Sequence, residues 1–417
     1  MRTYNRTRTN YLLGKLKFAS FFLLIVSWVT PGIAADTIHL YIDADRTGAR
    51  ASGIAIEQGI RTALSEVDNK IGNRKVELVI RDHRGSSPRS KRHLDQYLAD
   101  PRALVLFSGL HSPPLLAHKN FINSNQILVL DPWAAAGPIT RSATDENWIF
   151  RLSIDDSKAG YVIAKHAVKS DGFTKPYLLL EGTGWGKSNK RTMGKALEDM
   201  GLEPVGIEWF NWNLGDNAAR IMLRKIAQSG ADSIFLVANA AEGKTFAKAM
   251  VSLPQELRLP IRSHWGITGG DFPEVINADL RSRIDLAFIQ TSFSFINHSQ
   301  QPMARQVLNQ AKKLFPEQIK GAEDIRAPSG FIHAYDLTKI LIAAVDQVGL
   351  SGDIHKDRDR IRLALESLHL PVQGLIKTYQ QPFSPYSKAS PDAHEALGQD
   401  DFAMAEYGQN NEIKLLQ

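Results

Sequence analysis

The chain contains no cysteine. That excludes disulfides, thiolate-ligated zinc, iron–sulfur clusters, thiol catalysis and a lipid-modified N-terminal cysteine. It also lacks internal repeats, low-complexity tracts and, past the N-terminal region, any apolar run approaching 18 residues, so no membrane span is predicted there. A surplus of one charge is missing too. Five of the formal +6 come from the first 34 residues, which hold Arg2, Arg6, Arg8, Lys15 and Lys17 and no acid. The remainder carries 45 basic and 44 acidic residues. A near-neutral body has no electrostatic footprint for nucleic acid.

What is present is an ordinary globular composition of 417 residues, 43% hydrophobic and 23% charged, enough for two or three domains. The first 34 residues read as a secretory signal. A basic stretch precedes an apolar run over 18–29, and Gly32 and Ala34 are small residues before a cut after Ala34. Twelve apolar residues rise only about 18 Å as a helix, short of the roughly 30 Å hydrocarbon core. The alternative is an uncleaved N-terminal anchor. The cut places the mature chain in the periplasm.

Beyond the signal, strand-like and helix-like segments alternate. Strands are predicted at 38–42, 76–81, 103–107 and 127–130, with helices at 53–68, 88–99 and 114–123 between them. The pattern resumes with helix 158–169 and strand 176–180. Helix 186–200 follows, ended by Gly201, and then strand 205–210 and helix 217–228. Strand 233–237, helix 241–251 and strand 261–263 complete the run. Repeated βα units imply parallel sheets covered on both faces. Two such runs predict two α/β lobes. The last third changes character, with a strand at 287–290, helices at 302–315, 330–347 and 356–368, late strands at 375–378 and 403–407, and a loop over 380–399.

In this order and spacing the sequence resembles type I periplasmic solute-binding proteins, the leucine/isoleucine/valine-binding class of ABC importers. The resemblance runs over roughly 36–380. It rests on Gly48, Gly53, Gly59 and Ala63 around the first helix, and on Asp82 followed by Ser87-Pro88. Further matches are the loop from Gly109 to Ser112, Phe150-Arg151, Trp185-Gly186, and the helix from Ser329-Gly330 to Tyr335-Asp336. The resemblance implies two Rossmann-like lobes joined by three crossovers, closing over a small molecule in the cleft, and no enzymatic activity. Lobe one is expected to comprise 35–153 plus about 291–374, and lobe two 154–290 plus about 375–417. The implied function is the periplasmic substrate-binding component of an ABC importer, for an amino-acid-like solute or a flat, aromatic relative. Its partner is then an ABC permease, its state a monomer, and no cofactor is expected. A sensor that docks on a receptor or kinase ectodomain is the alternative.

The family holds ligand carboxylates with backbone N–H groups and hydroxyls from two loops of lobe one. The first loop here offers His111 and Ser112, whose hydroxyl either grips an anion or caps the next helix. The second runs from Asp131 through Trp133, Ala134 and Ala135, where alanines stand in place of the family's threonine. Asp131 adds a charge that opposes a carboxylate. The region at His264–Thr268 offers Thr268 but no acid for an amine. Trp133, Trp185 and Trp265 each follow a predicted strand, where aromatics stack on flat ligands or cradle cations. Arg50 and Ser52 occupy the first strand–helix loop, and Asn239 follows strand 233–237. Glu242 and Tyr335 are weaker candidates. Glu181 to Ser188 imitates a P-loop, but Glu181 stands where glycine is required and repels phosphate. Twelve scattered histidines form no metal signature, and no nucleophile elbow is present.

Overall fold

The computed structural model describes residues 37–144 and 146–416. The expected signal segment, residues 1–34, lies outside them. The described chain forms two sheets. The first lobe's sheet contains β1 (Thr37–Ala44), β2 (Lys70–Ile71), β3 (Arg74–Asp82), β4 (Ala103–Ser108), β5 (Val129–Asp131) and β6 (Ile149–Arg151), in the spatial order β2-β3-β1-β4-β5-β6. All pairs are parallel except the β2–β3 hairpin. Between these strands run α1 (Arg50–Ser65), α2 (Ser87–Ala99) and α3 (Ser112–Ser124). β4, Ala-Leu-Val-Leu-Phe-Ser, is buried at every position, as a central parallel strand covered on both faces must be. α1 buries the stripe Ile56, Ile60, Ala63 and Leu64.

The second lobe opens with α4 (Asp156–Lys165), capped by Asp155, whose carboxylate accepts from Ser157 N. Then follow β7 (Pro176–Glu181), α5 (Gly184–Asp199), β8 (Gly206–Phe210) and α6 (Asp216–Gln228). β9 (Ser233–Val237), α7 (Ala240–Ser252), β10 (Ile261–Ser263), the short α8 (Phe272–Val275) and α9 (Ala278–Arg281), and β11 (Leu286–Thr291) come next. Gly201 ends α5 at φ +75°, as its position after the apolar stripe predicted.

The chain then returns to the first lobe. α10 (Pro302–Leu314) and α11 (Pro328–Val348) pack against α1, and α12 (Ile354–Glu366) lies beside β4. Gly59 of α1 faces the Phe331 carbonyl of α11 so closely that a Cβ would overlap it. The predicted strand at 375–378 is instead a turn between β12 (Val372–Gln373) and β13 (Thr378–Tyr379). The buried Asp336 carboxylate accepts from Leu375 N at 2.6 Å and Ile376 N at 3.1 Å, which takes those amides out of any ladder. Segment 380–399 is the expected loop, tied to the first lobe. Glu395 pairs with the buried Arg151, and His394 bonds the Ile149 carbonyl at 3.0 Å. The chain re-enters the second sheet only at Phe402, where β14 (Phe402–Tyr407) and β15 (Ile413–Leu415) add antiparallel to β11. That sheet reads β15-β14-β11-β10-β9-β7-β8. Among the described residues, no helix is long and apolar enough to cross a membrane.

Candidate functional site

Each sheet reverses its winding once. In the first lobe the reversal lies at β1, flanked by β3 and β4; in the second it lies at β7, flanked by β8 and β9. Loops leaving the carboxyl ends of strands diverge at such a point and open a crevice. Asp45, just beyond β1, and His111, after β4, meet at one crevice, with His111 Nε2 3.0 Å from Asp45 Oδ2. Glu181, the last residue of β7, and Asn239, just beyond β9, meet at the other, where Asn239 Nδ2 donates to Glu181 Oε2 at 2.8 Å. The two crevices face one cavity of about 10 Å³. Leu110, His111, Ser112, Pro113, Trp133 and Ala135 wall it from lobe one. Glu181, Trp185, Asn239, Trp265 and Gly266 wall it from lobe two. Such a space admits one water-sized group at most, so a larger solute needs the two walls to stand further apart than they do here.

The electrostatics of this cavity are set by carboxylates. Burial pushes the Glu181 carboxyl above its ordinary range, while Thr183 Oγ1 donates to it at 2.9 Å. For Asp45, burial also acts upward. It is outweighed by His111 and by the N–H groups of Gly48 and Thr47, which together hold the carboxyl well below the usual range. Asp131 is fully buried behind Trp133. Its Oδ1 accepts from Ser108 Oγ at 2.8 Å, Ala134 N at 2.9 Å and Trp133 N at 3.2 Å. Ser112 does not cap α3; its hydroxyl accepts from Ala136 N at 3.2 Å and ties the two loops together.

The three tryptophans come together. Trp133 and Trp265 stand with ring centroids 5.9 Å apart, inclined at 57°. Trp185 sits edge-on to His264 at 5.0 Å, and its indole N–H donates to the buried Asp156 at 3.2 Å. His264 Nδ1 accepts from Trp265 N at 3.0 Å, which fixes the turn that carries Trp265.

Of the residues singled out from sequence, His111, Ser112, Trp133, Ala135, Trp185, Asn239 and Trp265 wall the cavity. Six others do not reach it. Arg50, at the exposed first turn of α1, lines a separate outer groove of about 770 Å³ with Lys244 and Arg326. The Ser52 hydroxyl is spent on the Ala49 carbonyl, and that of Thr268 on the Trp265 carbonyl. Ala134 lies in the loop's framework, its N–H on Asp131 and its carbonyl on Arg151. Glu242 accepts from Asn213 N, and the Tyr335 hydroxyl donates to Glu66. The residue missed is Glu181. It supplies the lobe-two acid that the 264–268 turn lacks. Its signal was its place at the carboxyl end of a strand, obscured by the P-loop imitation around it. Among the described residues, no group of three histidine or carboxylate side chains is arranged to hold a metal.

A family model described as "Periplasmic binding protein" matches residues 41–384. The chain belongs to the periplasmic binding protein family. That family is a solute-binding fold and not an enzyme class. The chain is 22% identical over 358 residues to the Leu/Ile/Val-binding protein homolog 6 of Brucella abortus (strain 2308), covering 83% of this chain and 85% of that protein. In structure it is similar to a type 1 periplasmic binding protein from Bordetella pertussis Tohama I, with a TM-score of 0.75 and 16% identity over 91% of this chain and 99% of that one. It is also similar to an ABC-transporter solute-binding protein from Rhodopseudomonas palustris HaA2 in complex with p-hydroxybenzoic acid. There the TM-score is 0.72, at 18% identity over 91% of this chain and 96% of that one. Both likenesses establish the fold: two parallel-dominated α/β lobes of the type I binding proteins.

Proposed function

We propose that this chain captures a small solute between its two lobes and delivers it to an ABC permease. The observation that carries the reading is a cavity at the meeting of two topological switch points, with roughly half its wall from each lobe. A ligand that touches both walls stabilises the closed form over the open one by the difference in its contacts, and hinge bending follows. The space between these walls is too small for a small organic molecule, so binding requires the lobes to part. The crossings near 152, 292 and 401 are the natural hinge. Ser112 and Trp133 approach the solute from lobe one; Glu181, Trp185, Asn239 and Trp265 approach from lobe two. The signal-like composition of 1–34 and the family support work in the periplasm, and a monomer suffices for it.

The test is a thermal-shift and tryptophan-fluorescence screen of the purified protein against amino acids, amides, aromatic acids, alcohols and amines. A solute at a thousand times its dissociation constant adds about 4 kcal/mol to folding, a shift of several degrees. The same solute is expected to reduce the radius of gyration in solution scattering. A screen without any such shift, on protein that also copurifies with no small molecule, removes the reading.

A further inference from the structure

We infer that the solute is a compact organic cation with no carboxylate group. The inference rests on the solute-capture reading and names its substrate class.

The cavity wall includes one carboxylate, Glu181, and no lysine or arginine. Three tryptophans surround the same point. Indole faces are electron-rich and attract cations, most strongly when both partners are removed from water. His111 stands beside them, its Nε2 on the Asp45 carboxylate at 3.0 Å and its Nδ1 buried without a partner. One carboxylate and three aromatic rings make a box suited to an ammonium group.

The same walls are poor at holding a carboxylate. Anion cradles are built from free backbone N–H groups at loop bends and helix ends. In the second loop of lobe one four of the five groups from 133 to 137 are already engaged, all but that of Ala135. Trp133 N and Ala134 N are on Asp131, Ala136 N is on Ser112 Oγ, and Gly137 N is on Ser188 Oγ. At the start of α3, Pro113 and Pro114 have no N–H to give. Asp45 behind His111 and Asp131 behind Trp133 add two further carboxyls, the second of them under the pull of the Arg151 guanidinium. A zwitterionic amino acid would satisfy Glu181 with its amine and then bury its carboxylate beside acids, with one N–H of that loop, Ala135 N, left to receive it. The indole N–H of Trp133, buried and unpartnered, is a single donor. It matches a hydroxyl on the cation and not the two oxygens of a carboxylate.

The experiment compares choline with 3,3-dimethyl-1-butanol, its uncharged isostere, by calorimetric titration of the wild-type protein. Ethanolamine, leucine and benzoate complete the panel. A cation is expected to bind at least about tenfold more tightly than the neutral isostere, a difference of 1.4 kcal/mol or more. Glu181→Gln is expected to remove most of that difference while leaving the isostere within about threefold. The wild-type comparison stands by itself if the variant does not fold. Choline and isostere binding equally, or no cation binding at all, overturns the inference. Leucine or benzoate binding in that case leaves solute capture intact. No ligand in the panel, together with nothing released on denaturing the native protein, removes both readings.

Discussion

Asp131 gathers three donors on Oδ1, while its Oδ2 has no partner. Burial pushes this carboxyl from the ordinary 3.8 up to about 6, against the downward pull of Arg151 and those three bonds. A carboxyl raised in the folded state favours folding below its unfolded value, and that contribution is lost as pH climbs through the folded value. Asp131 therefore adds stability below about pH 4 and loses it between about pH 4 and 6. Over that window the difference amounts to about 3 kcal/mol at most. His333, whose ring is lowered to about 4 by burial, acts in the opposite sense over the same range, so the total profile does not isolate Asp131. The difference between wild type and Asp131→Asn does. Asparagine keeps an oxygen for the three donors and does not titrate. Stability of the wild type relative to the variant is expected to rise as pH falls from 7.5 to 4, measured by urea unfolding at each pH. A flat difference would mean that Asp131 titrates normally and that the loop does not shield it.

At the scale of elements, the cavity depends on helices that do not line it. α11 passes behind Trp133 with Gly330 against the indole; a Cβ there would lie 2.5 Å from ring carbon Cζ3. Gly330→Ala is expected to cost about 1–3 kcal/mol, as overpacking does, and to shift the tryptophan emission because the ring must move toward the cavity. An unchanged unfolding midpoint and spectrum would show that α11 slides away instead. Segments of this kind were legible in the sequence where one local rule governs them. Buried parallel strands such as β4 declare themselves as unbroken apolar runs, and α5 ends at a glycine that adopts positive φ. Aromatics after strand ends were legible for the same reason, since a βα repeat fixes which end faces the cleft. What escaped depends on distant partners. The turn at 374–377 exists because Asp336, some 40 residues earlier, claims two amides. Glu181 looked wrong for a phosphate loop, and only its bond to Asn239 across the strand switch gives it a place in a different kind of site. Arg50 and Ser52 sit in the correct loop by sequence, but the pitch of α1 carries one to the outer groove and the other onto its own backbone.

For the whole molecule, the decisive contacts are those that exist only when the lobes are together. Trp212 belongs to the loop between β8 and α6 in lobe two, yet its ring lies 5.4 Å from the ring of His111, and a Cβ on Gly85 would lie 3.3 Å from its Cζ3, both residues being in lobe one. In an open form this half-buried indole returns to water. Its apolar surface therefore biases the molecule toward closure before any solute contributes, and a pre-existing closed population raises apparent affinity in proportion. Trp212 lines no part of the cavity. Trp212→Ala is therefore expected to change the hinge equilibrium and leave the choice of solute alone. The radius of gyration without solute should increase. Affinity for each solute that binds should fall by a common factor of about three to ten, mainly through faster release. Stopped-flow fluorescence of wild type and variant separates the two rates. A loss confined to one solute would make Trp212 part of the binding wall. An unchanged radius with unchanged release would mean that other packing between the lobes, such as Trp133 on Trp265, holds them together and that the Trp212 ring merely follows.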